Sequence, residues 1–170
     1  MDDIRVIKNI FTEDERLEIL KSIKPFLVDA EWLSLSCFGV PDKIPGKQSY
    51  PTLQHSPDFK WIYDRFDEII KEKLNLDLDL YSSWVNWTDG RKEHINWHSH
   101  DKDYASVYYI QVPRFINGTL FKNKFYRSPQ NSMILFPGHL KHTAPISPFR
   151  WISKYERYTM AMDYNIRKES

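Results

Sequence analysis

The hydrophobic positions near the start of the chain follow the period of an α-helix. The capping-box sequence of residues 12–15 precedes Leu17, Leu20 and Ile23, and Pro25 ends the run. Residues three or four apart share one face of a helix, so the pattern predicts a short amphipathic helix that buries these apolar side chains.

A second helix is predicted after Pro57, where apolar residues again recur at helical spacing and Asp and Lys side chains occupy the opposite face. Between the two helices, residues 31–56 are rich in Pro, Gly and Ser, which favours loops and strand fragments. The apolar positions of the second helix are Ile62, Phe66, Ile69 and Leu74.

After Leu80 the pattern changes to short runs rich in β-branched and aromatic residues, separated by turn sequences such as Asp89-Gly90 and Ser128-Pro129. Many short strands at this spacing predict a sandwich or barrel. No repeat or linker divides the chain. We therefore expect one domain over residues 1–170, with a helical buttressing region at 1–80 and a β-core at 81–166. The predicted strands are 81–88, 92–98, 104–112, 132–136 and 157–165.

The composition limits the possible partners. The chain has 170 residues, enough for one domain with a core of its own. Its formal net charge is +1, from 24 basic and 23 acidic side chains, so no nucleic-acid partner is expected. Aromatic residues make up 15% of the chain, which suits a β-rich domain.

The cysteine content and the N-terminal sequence bear on the compartment. The single cysteine, Cys37, excludes an internal disulfide and fits a reducing cytosol. The N-terminal residues show no signal-peptide pattern, and no stretch approaches the roughly 20 apolar residues that span a bilayer. We expect a cytoplasmic protein that does not interact with membranes, and its oligomeric state is left open.

Histidines supply the first candidate chemistry. His98 and His100 are two residues apart, and on a strand they would point to the same side. His139 and His142 follow the predicted strand 132–136 across a turn, so one of the two is expected to point inward. Neutral imidazole is a common protein ligand for iron and zinc. A His-x-His sequence alone is weak support for a metal site, but the companion histidine strengthens it.

The last predicted strand contains a candidate anion-binding residue. Arg157 alternates with larger side chains and shares its face with the small residues Thr159 and Ala161. A buried guanidinium needs a partner, and a carboxylate that accepts two hydrogen bonds is the best one. The partner is either Asp163 within the chain or a bound dicarboxylate, and the pattern favours neither.

About half of the chain, residues 81–165, contains a series of short motifs whose order and spacing are more specific than any one of them. In order they are 84–87 (Trp-Val-Asn-Trp), 98–100 (His-Ser-His), 106–110 (Ser-Val-Tyr-Tyr-Ile), 118–121 (Gly-Thr-Leu-Phe), 135–137 (Leu-Phe-Pro) with His142, and 157–161 (Arg-Tyr-Thr-Met-Ala). The series resembles the iron(II)- and 2-oxoglutarate-dependent dioxygenases, in the prolyl-hydroxylase-like branch that includes phage and marine-bacterial members.

The resemblance implies a mainly β fold with flanking helices, built on a double-stranded β-helix, or jelly-roll, core like that of the cupins. It implies that His98 is the first iron ligand and His142 the distal one. Arg157 would bind the far carboxylate of 2-oxoglutarate with help from the Tyr109 hydroxyl. Thr119 or Asn86 would add a hydrogen bond.

The chain departs from the family pattern at one ligand. The family has His-x-Asp, and His100 stands at the position of the aspartate. Either the site has three histidines, or Asp101 or Asp103 supplies the carboxylate, or hydroxylase chemistry has been lost. The interval between His142 and Arg157 is also long, and its residues 145–151 form either a substrate lid or a variable connection.

The sequence is compatible with three functions. The leading one is a dioxygenase that converts 2-oxoglutarate to succinate and carbon dioxide while it hydroxylates a C–H bond of an amino-acid, peptidyl or small-metabolite substrate. The second is a three-histidine, cupin-like dioxygenase that does not use 2-oxoglutarate. The third is a jelly-roll binding domain without catalysis, whose histidines pack in the core or hold a closed zinc site.

Overall fold

A computed structural model of the chain describes residues 4–38, 46–89, 97–113, 117–122, 124–144 and 156–168. Within these ranges there are three α-helices, α1 (Glu13–Ile23), α2 (Ala30–Phe38) and α3 (Lys60–Leu74), and three short 3-10 turns, Lys24–Phe26, Leu53–His55 and Pro57–Phe59. The strands of the same ranges are β1 (Arg5–Lys8), β2 (Val28–Asp29), β3 (Lys47–Gln48), β4 (Leu78–Thr88), β5 (Tyr104–Gln111), β6 (Gly118–Phe121), β7 (Lys124–Arg127), β8 (Ser132–Pro137), β9 (His142–Thr143) and β10 (Arg157–Ile166).

The described strands form two antiparallel sheets. The larger has the strand order β1-β8-β5-β10-β4-β3-β2, and the smaller has the order β7-β6-β9. Phe121 of the smaller sheet packs edge-on against Phe136 of the larger one, with ring centroids 5.1 Å apart. The predicted class, mainly β with flanking helices, is confirmed, and the two facing sheets are consistent with a jelly-roll core.

Alternate side chains of the central strands belong to two different apolar clusters, one on each face of the larger sheet. Successive side chains of a strand point to opposite faces, so residues two apart share a face. Tyr108 and Met160 point towards the helices and pack with Phe66 of α3. Tyr109 and Phe136 point the other way, into a second apolar cluster between the sheets. The helices therefore cover one face and leave the inter-sheet face for a site.

Helix α1 begins where the capping box predicts, but its buried face differs by one position. The Glu15 carboxylate accepts a hydrogen bond from the Thr12 amide at 2.7 Å. Leu17 is 47% exposed, so its predicted burial is wrong. Arg16 is buried instead, because its guanidinium donates to the Ile110 carbonyl at 2.9 Å and pairs with an acidic side chain of the same helix.

The prediction of loops and strand fragments over residues 31–56 is wrong for its first part, which forms helix α2. The carboxylate of Asp29 accepts a hydrogen bond from the Trp32 amide at 2.9 Å, as an N-cap residue does. Residues 26–38 contain no Gly or Pro, and the first Gly or Pro of the segment 31–56 is Gly39. Averaging the composition over the whole segment hid a sequence that is compatible with a helix.

Most longer elements match their predictions. Four of the predicted strands agree with β4, β5, β8 and β10 to within three residues at either end. Helix α3 buries three of its four predicted apolar residues and partly buries Leu74. The predicted strand 92–98 lies mostly outside the described residues. Strands β1, β2 and β3, all from the first 80 residues, join the larger sheet. No helix in the described part of the chain is long and apolar enough to cross a membrane.

A matched pair of leucines on α1 tests the buried face. Leu20 is 7% exposed, so Leu20→Ala should lower the free energy of unfolding by about 2–5 kcal/mol. Leu17→Ala removes the same atoms from the exposed side of the same helix and should change it by at most about 0.5 kcal/mol. Urea denaturation followed by circular dichroism measures both. Equal losses would contradict the orientation of α1.

Candidate metal centre

Three histidines from two separate segments meet beside the inter-sheet core. The possible ligand atoms of His98, His100 and His142 all lie within 4.8 Å of one another. In the part of the chain that the structure describes, no other set of three His, Cys, Asp or Glu residues is grouped in this way. His142 is buried, and the other two are half-buried.

The backbone brings His98 and His142 together. The two residues form an antiparallel bridge in which the His98 amide donates to the His142 carbonyl at 3.1 Å. The return bond, from the His142 amide to the His98 carbonyl, measures 2.9 Å, and the ring centroids are 4.3 Å apart. Directly paired residues of antiparallel segments present their side chains on the same side. On its other edge His142 pairs with Phe121 of β6.

A glycine allows the segment that contains His100 to lie against the end of β8. The His100 amide donates to the Gly138 carbonyl at 2.8 Å, and the Gly138 amide donates to the Asp103 carbonyl at 2.9 Å. A Cβ atom on Gly138 would lie 2.1 Å from the Lys102 carbonyl oxygen, a severe clash. Glycine is therefore required here for the close approach of the two backbones.

Polar contacts at Nδ1 leave Nε2 of two of the rings for a metal ion. Nδ1 of His142 lies 2.9 Å from the Leu140 carbonyl, which can only accept, so Nδ1 bears the hydrogen. Nδ1 of His100 lies 2.7 Å from the Asp163 carboxylate. Burial lowers the pKa of His142 to about 3, so its imidazole is neutral at physiological pH, as a metal ligand must be. This donor set fits a divalent transition metal such as iron.

Aromatic rings enclose the histidines. The Phe136 ring lies 4.6 Å from that of His142, and the Phe121 ring lies 5.8 Å from it. On the other side, the Trp84 ring of β4 stacks on His100 at 6.0 Å with an interplanar angle of 28°. These rings restrict imidazole rotation and exclude water from one side of the site.

A second polar group lies on the inter-sheet face around Arg157. The guanidinium carbon of Arg157 is 5.6 Å from the centroid of the Tyr109 ring, and its Nε donates to the Asn117 side chain at 3.3 Å. The Tyr109 hydroxyl is hydrogen-bonded to Thr119. Burial raises the pKa of Tyr109, so the phenol keeps its proton and can donate it to an anion.

Two strands connect the histidines with the group around Arg157. On β6, Thr119 bonds to Tyr109 while Phe121, two residues on, pairs with His142, a step of about 7 Å. On β10, the small residues Thr159 and Ala161 share one face with Arg157. The interpretation of Asp163 as the internal partner of Arg157 is wrong, because the two residues are six steps apart on β10, about 20 Å. Asp163 contacts His100 instead.

The alternative carboxylate ligands lie away from the histidines. The Asp101 side chain is 88% exposed, and Asp103 accepts a hydrogen bond from the Ile166 amide at 2.8 Å. Of the two histidines after β8, His139 is exposed while His142 is buried. Asn86 lies on β4 opposite Thr159 of β10. Residues 145–151, the predicted lid or connection, lie outside the described residues.

Two polar residues of this region are absent from the predicted site. Asn117 precedes a glycine and has the sequence of a turn residue, yet its carbonyl side chain accepts from Arg157 and its amide donates to the Ser128 carbonyl. The sequence predicts Asp163 only as a possible partner of Arg157. Its even spacing from Arg157 on β10 places the two residues on the same face of the strand. Its contact with His100 could not be predicted, because sequence spacing does not show where the segment between β4 and β5 lies relative to β10.

Sequence comparisons identify no relative of this chain. A search with protein-family models gives no match, and a search of curated protein sequences gives none. The similarity lies in the structure.

Solved structures with the same architecture include three proteins that cover almost the whole chain. The viral collagen prolyl hydroxylase vCPH from Paramecium Bursaria Chlorella virus-1 is 11% identical, with a TM-score of 0.66 over 97% of this chain and 90% of its own. HygX from Streptomyces hygroscopicus, with nickel, 2-oxoglutarate and hygromycin B bound, is 14% identical, with a TM-score of 0.63 over 97% of this chain and 83% of its own. EctD from S. alaskensis, with bound Fe, is 13% identical, with a TM-score of 0.68 over 97% of this chain and 73% of its own. These neighbours are iron(II)- and 2-oxoglutarate-dependent oxygenases. The chain has the fold of that family, and the resemblance is confirmed at the level of the fold.

The neutral His142 should make the stability of the metal-free protein depend on pH. Its pKa falls from 6.5 to about 3 on folding, so between these values the unfolded chain binds a proton that the folded chain does not. The contribution of His142 to the free energy of unfolding should therefore be fully present above pH 6.5. It should decline as the pH falls towards 3, by up to about 1.4 kcal/mol per pH unit. His142→Asn cannot take up this proton and should show a flatter dependence.

Urea denaturation in EDTA at several pH values between 3.5 and 7 measures both proteins. Parallel curves for the wild type and His142→Asn would contradict a neutral, buried His142.

Proposed function

We propose that the chain is an iron(II)- and 2-oxoglutarate-dependent dioxygenase that hydroxylates a C–H bond of its substrate and forms succinate and carbon dioxide. One observation supports this proposal most strongly. A group of three histidines and a separate arginine–tyrosine group share the inter-sheet face of an oxygenase fold. On β6, Thr119 contacts the arginine–tyrosine group and Phe121 contacts the histidines, and these two residues are only about 7 Å apart along the strand.

In this proposal His98, His100 and His142 hold the iron as neutral imidazole ligands. Iron held by three protein ligands would keep further coordination positions for the keto acid and for oxygen, and it would supply the redox chemistry of the reaction. The chain itself fixes the rings through the bridge between His98 and His142. The aromatic rings around them keep water away from one side.

Arg157 and Tyr109 bind the carboxylate of 2-oxoglutarate that is remote from the metal. The guanidinium offers several donors in a fixed plane, and the protonated Tyr109 hydroxyl adds another. Asn117 orients the guanidinium through its hydrogen bond to Nε. Thr159 and Ala161 occupy little space, which leaves room for the carbon chain between the two groups.

The structural neighbours agree with this choice of cofactors and suggest the class of substrate. HygX binds nickel and 2-oxoglutarate, EctD binds Fe, and a 2-oxoglutarate complex of vCPH is among the similar structures. One neighbour is a collagen prolyl hydroxylase and another has hygromycin B bound. We propose a peptidyl, amino-acid or small-metabolite substrate for this chain, and a cytoplasmic location.

A substitution of Arg157 tests the proposed binding site for 2-oxoglutarate. Arg157→Gln removes a charged donor and should weaken 2-oxoglutarate binding to the Mn(II)-loaded protein by about 10- to 150-fold, the range expected for a lost hydrogen bond to a charged group. Its Mn(II) affinity should remain within about twofold of the wild type. Isothermal titration calorimetry without oxygen measures both constants.

Arg167→Gln is the control, since Arg167 follows the far end of β10 and pairs with Asp77 and Asp79 on the surface. It should bind 2-oxoglutarate as the wild type does. An Arg157→Gln protein with unchanged keto-acid affinity would contradict the role given to Arg157.

A second candidate is a three-histidine dioxygenase that binds its substrate to iron directly and uses no keto acid. It is supported by His100, which gives the site three imidazoles where the oxygenase pattern has an aspartate. In this case Arg157 would hold a carboxylate of the substrate.

Oxygen consumption by the iron-loaded protein, measured with and without 2-oxoglutarate in the presence of candidate amino acids and peptides, distinguishes the two. The leading proposal predicts consumption that depends on 2-oxoglutarate. Consumption that the keto acid does not stimulate would reject it in favour of the three-histidine enzyme.

A further inference from the structure

Asp163 is a buried carboxylate that lies directly behind a candidate metal ligand. The residue is 8% exposed and lies on the inter-sheet face of β10. Its Oδ1 atom is 2.7 Å from Nδ1 of His100, and its Oδ2 atom accepts a hydrogen bond from the Ser82 hydroxyl at 3.3 Å. Within the described residues Oδ1 has no hydrogen bond of regular geometry, and a buried carboxylate oxygen without one is costly, so its position beside the imidazole needs an explanation.

The surroundings fix the His100 ring in this orientation. The ring lies nearly parallel to that of His142, with an interplanar angle of 11° and centroids 5.2 Å apart, and Trp84 stacks on it as well. The pairing of β10 with β4 shifts register between Asp163 and Tyr164. Such irregularities re-aim the side chains beside them. The Asp163 carboxylate therefore meets a ring that has little freedom to turn away.

A charge argument gives this contact a function. A site of two histidines and one aspartate carries a negative charge among its ligands, whereas three imidazoles carry none. Asp101 is exposed and Asp103 is bound to the Ile166 amide, so neither carboxylate supplies that charge to the site. Asp163 is the carboxylate that touches one of the three imidazoles.

We propose that Asp163 is a positioning residue of the metal centre. It accepts the Nδ1 hydrogen of His100, which directs Nε2 towards the metal, and it places behind this ligand the negative charge that three imidazoles lack. Metal-binding histidines commonly donate their second ring nitrogen to a carboxylate, which fixes the tautomer and strengthens the ligand. This inference depends on the metal site of the proposed function, but not on the keto acid or the substrate.

The metal-free protein gives the first test. At a fixed pH above 7, a ¹H–¹⁵N correlation spectrum of the imidazole rings should show His100 with its hydrogen on Nδ1. Asp163→Asn should keep this tautomer, because the amide oxygen still accepts the hydrogen bond. Asp163→Ala should shift His100 towards the other tautomer. A wild-type His100 with its hydrogen on Nε2 would overturn the proposal.

Metal affinity gives the second test. Titration with Mn(II), followed by electron paramagnetic resonance, should show Asp163→Asn binding about 10- to 100-fold more weakly than the wild type. Asp101→Asn is the matched control, because it makes the same exchange on an exposed side chain next to His100 and should leave the affinity unchanged. If Asp163→Asn does not fold, Asp163→Ser replaces it as a smaller variant.

The two proposals fail in different ways. If the wild type binds Mn(II) and both Asn variants bind it equally well, the role of Asp163 is overturned while the proposed function stands. If the wild type binds no Mn(II), the metal centre and the role of Asp163 are both wrong.

Discussion

The antiparallel backbone pair between His98 and His142 is the contact on which the rest of the site depends. Its two hydrogen bonds, of 3.1 and 2.9 Å, join a segment that follows β4 to one that follows β8. Because His142 also pairs with Phe121 of β6, the same contact anchors the smaller sheet to the histidines. The position of β6 then places Thr119 against Tyr109, beside Arg157. A shift in this pair would move both groups of polar side chains.

The two faces of the larger sheet separate apolar packing from the polar groups of the candidate site. Apolar packing for stability lies mainly between the helices and one face of the larger sheet, where Phe66 and Tyr108 are fully buried. The other face accommodates polar groups, two of which have local partners: Arg157 bonds to Asn117, and His142 to the Leu140 carbonyl. Burial keeps the His142 imidazole neutral, which favours a metal ion over a proton at physiological pH.

Much of the fold was predictable from the sequence, because long strands and amphipathic helices have strong periodic patterns. Helix α2 was hidden by averaging, and Leu17 was misplaced because Arg16 could be buried only with a distant carbonyl as its partner. The spacing of the residues and the family resemblance together predict that the three histidines and Arg157 belong to one site. The roles of Asn117 and Asp163 could not be predicted, since each depends on a contact between segments that are far apart in the chain.

We propose that one site holds both an iron ion on three histidines and 2-oxoglutarate. Absorption spectroscopy of the protein with Fe(II), without oxygen, tests it most directly, because a keto acid that chelates iron produces a visible charge-transfer band. We expect this band to appear when 2-oxoglutarate is added to the iron-loaded protein and to be absent with His142→Ala. A wild-type protein that binds iron but develops no such band at saturating 2-oxoglutarate would show that iron and the keto acid do not share this site.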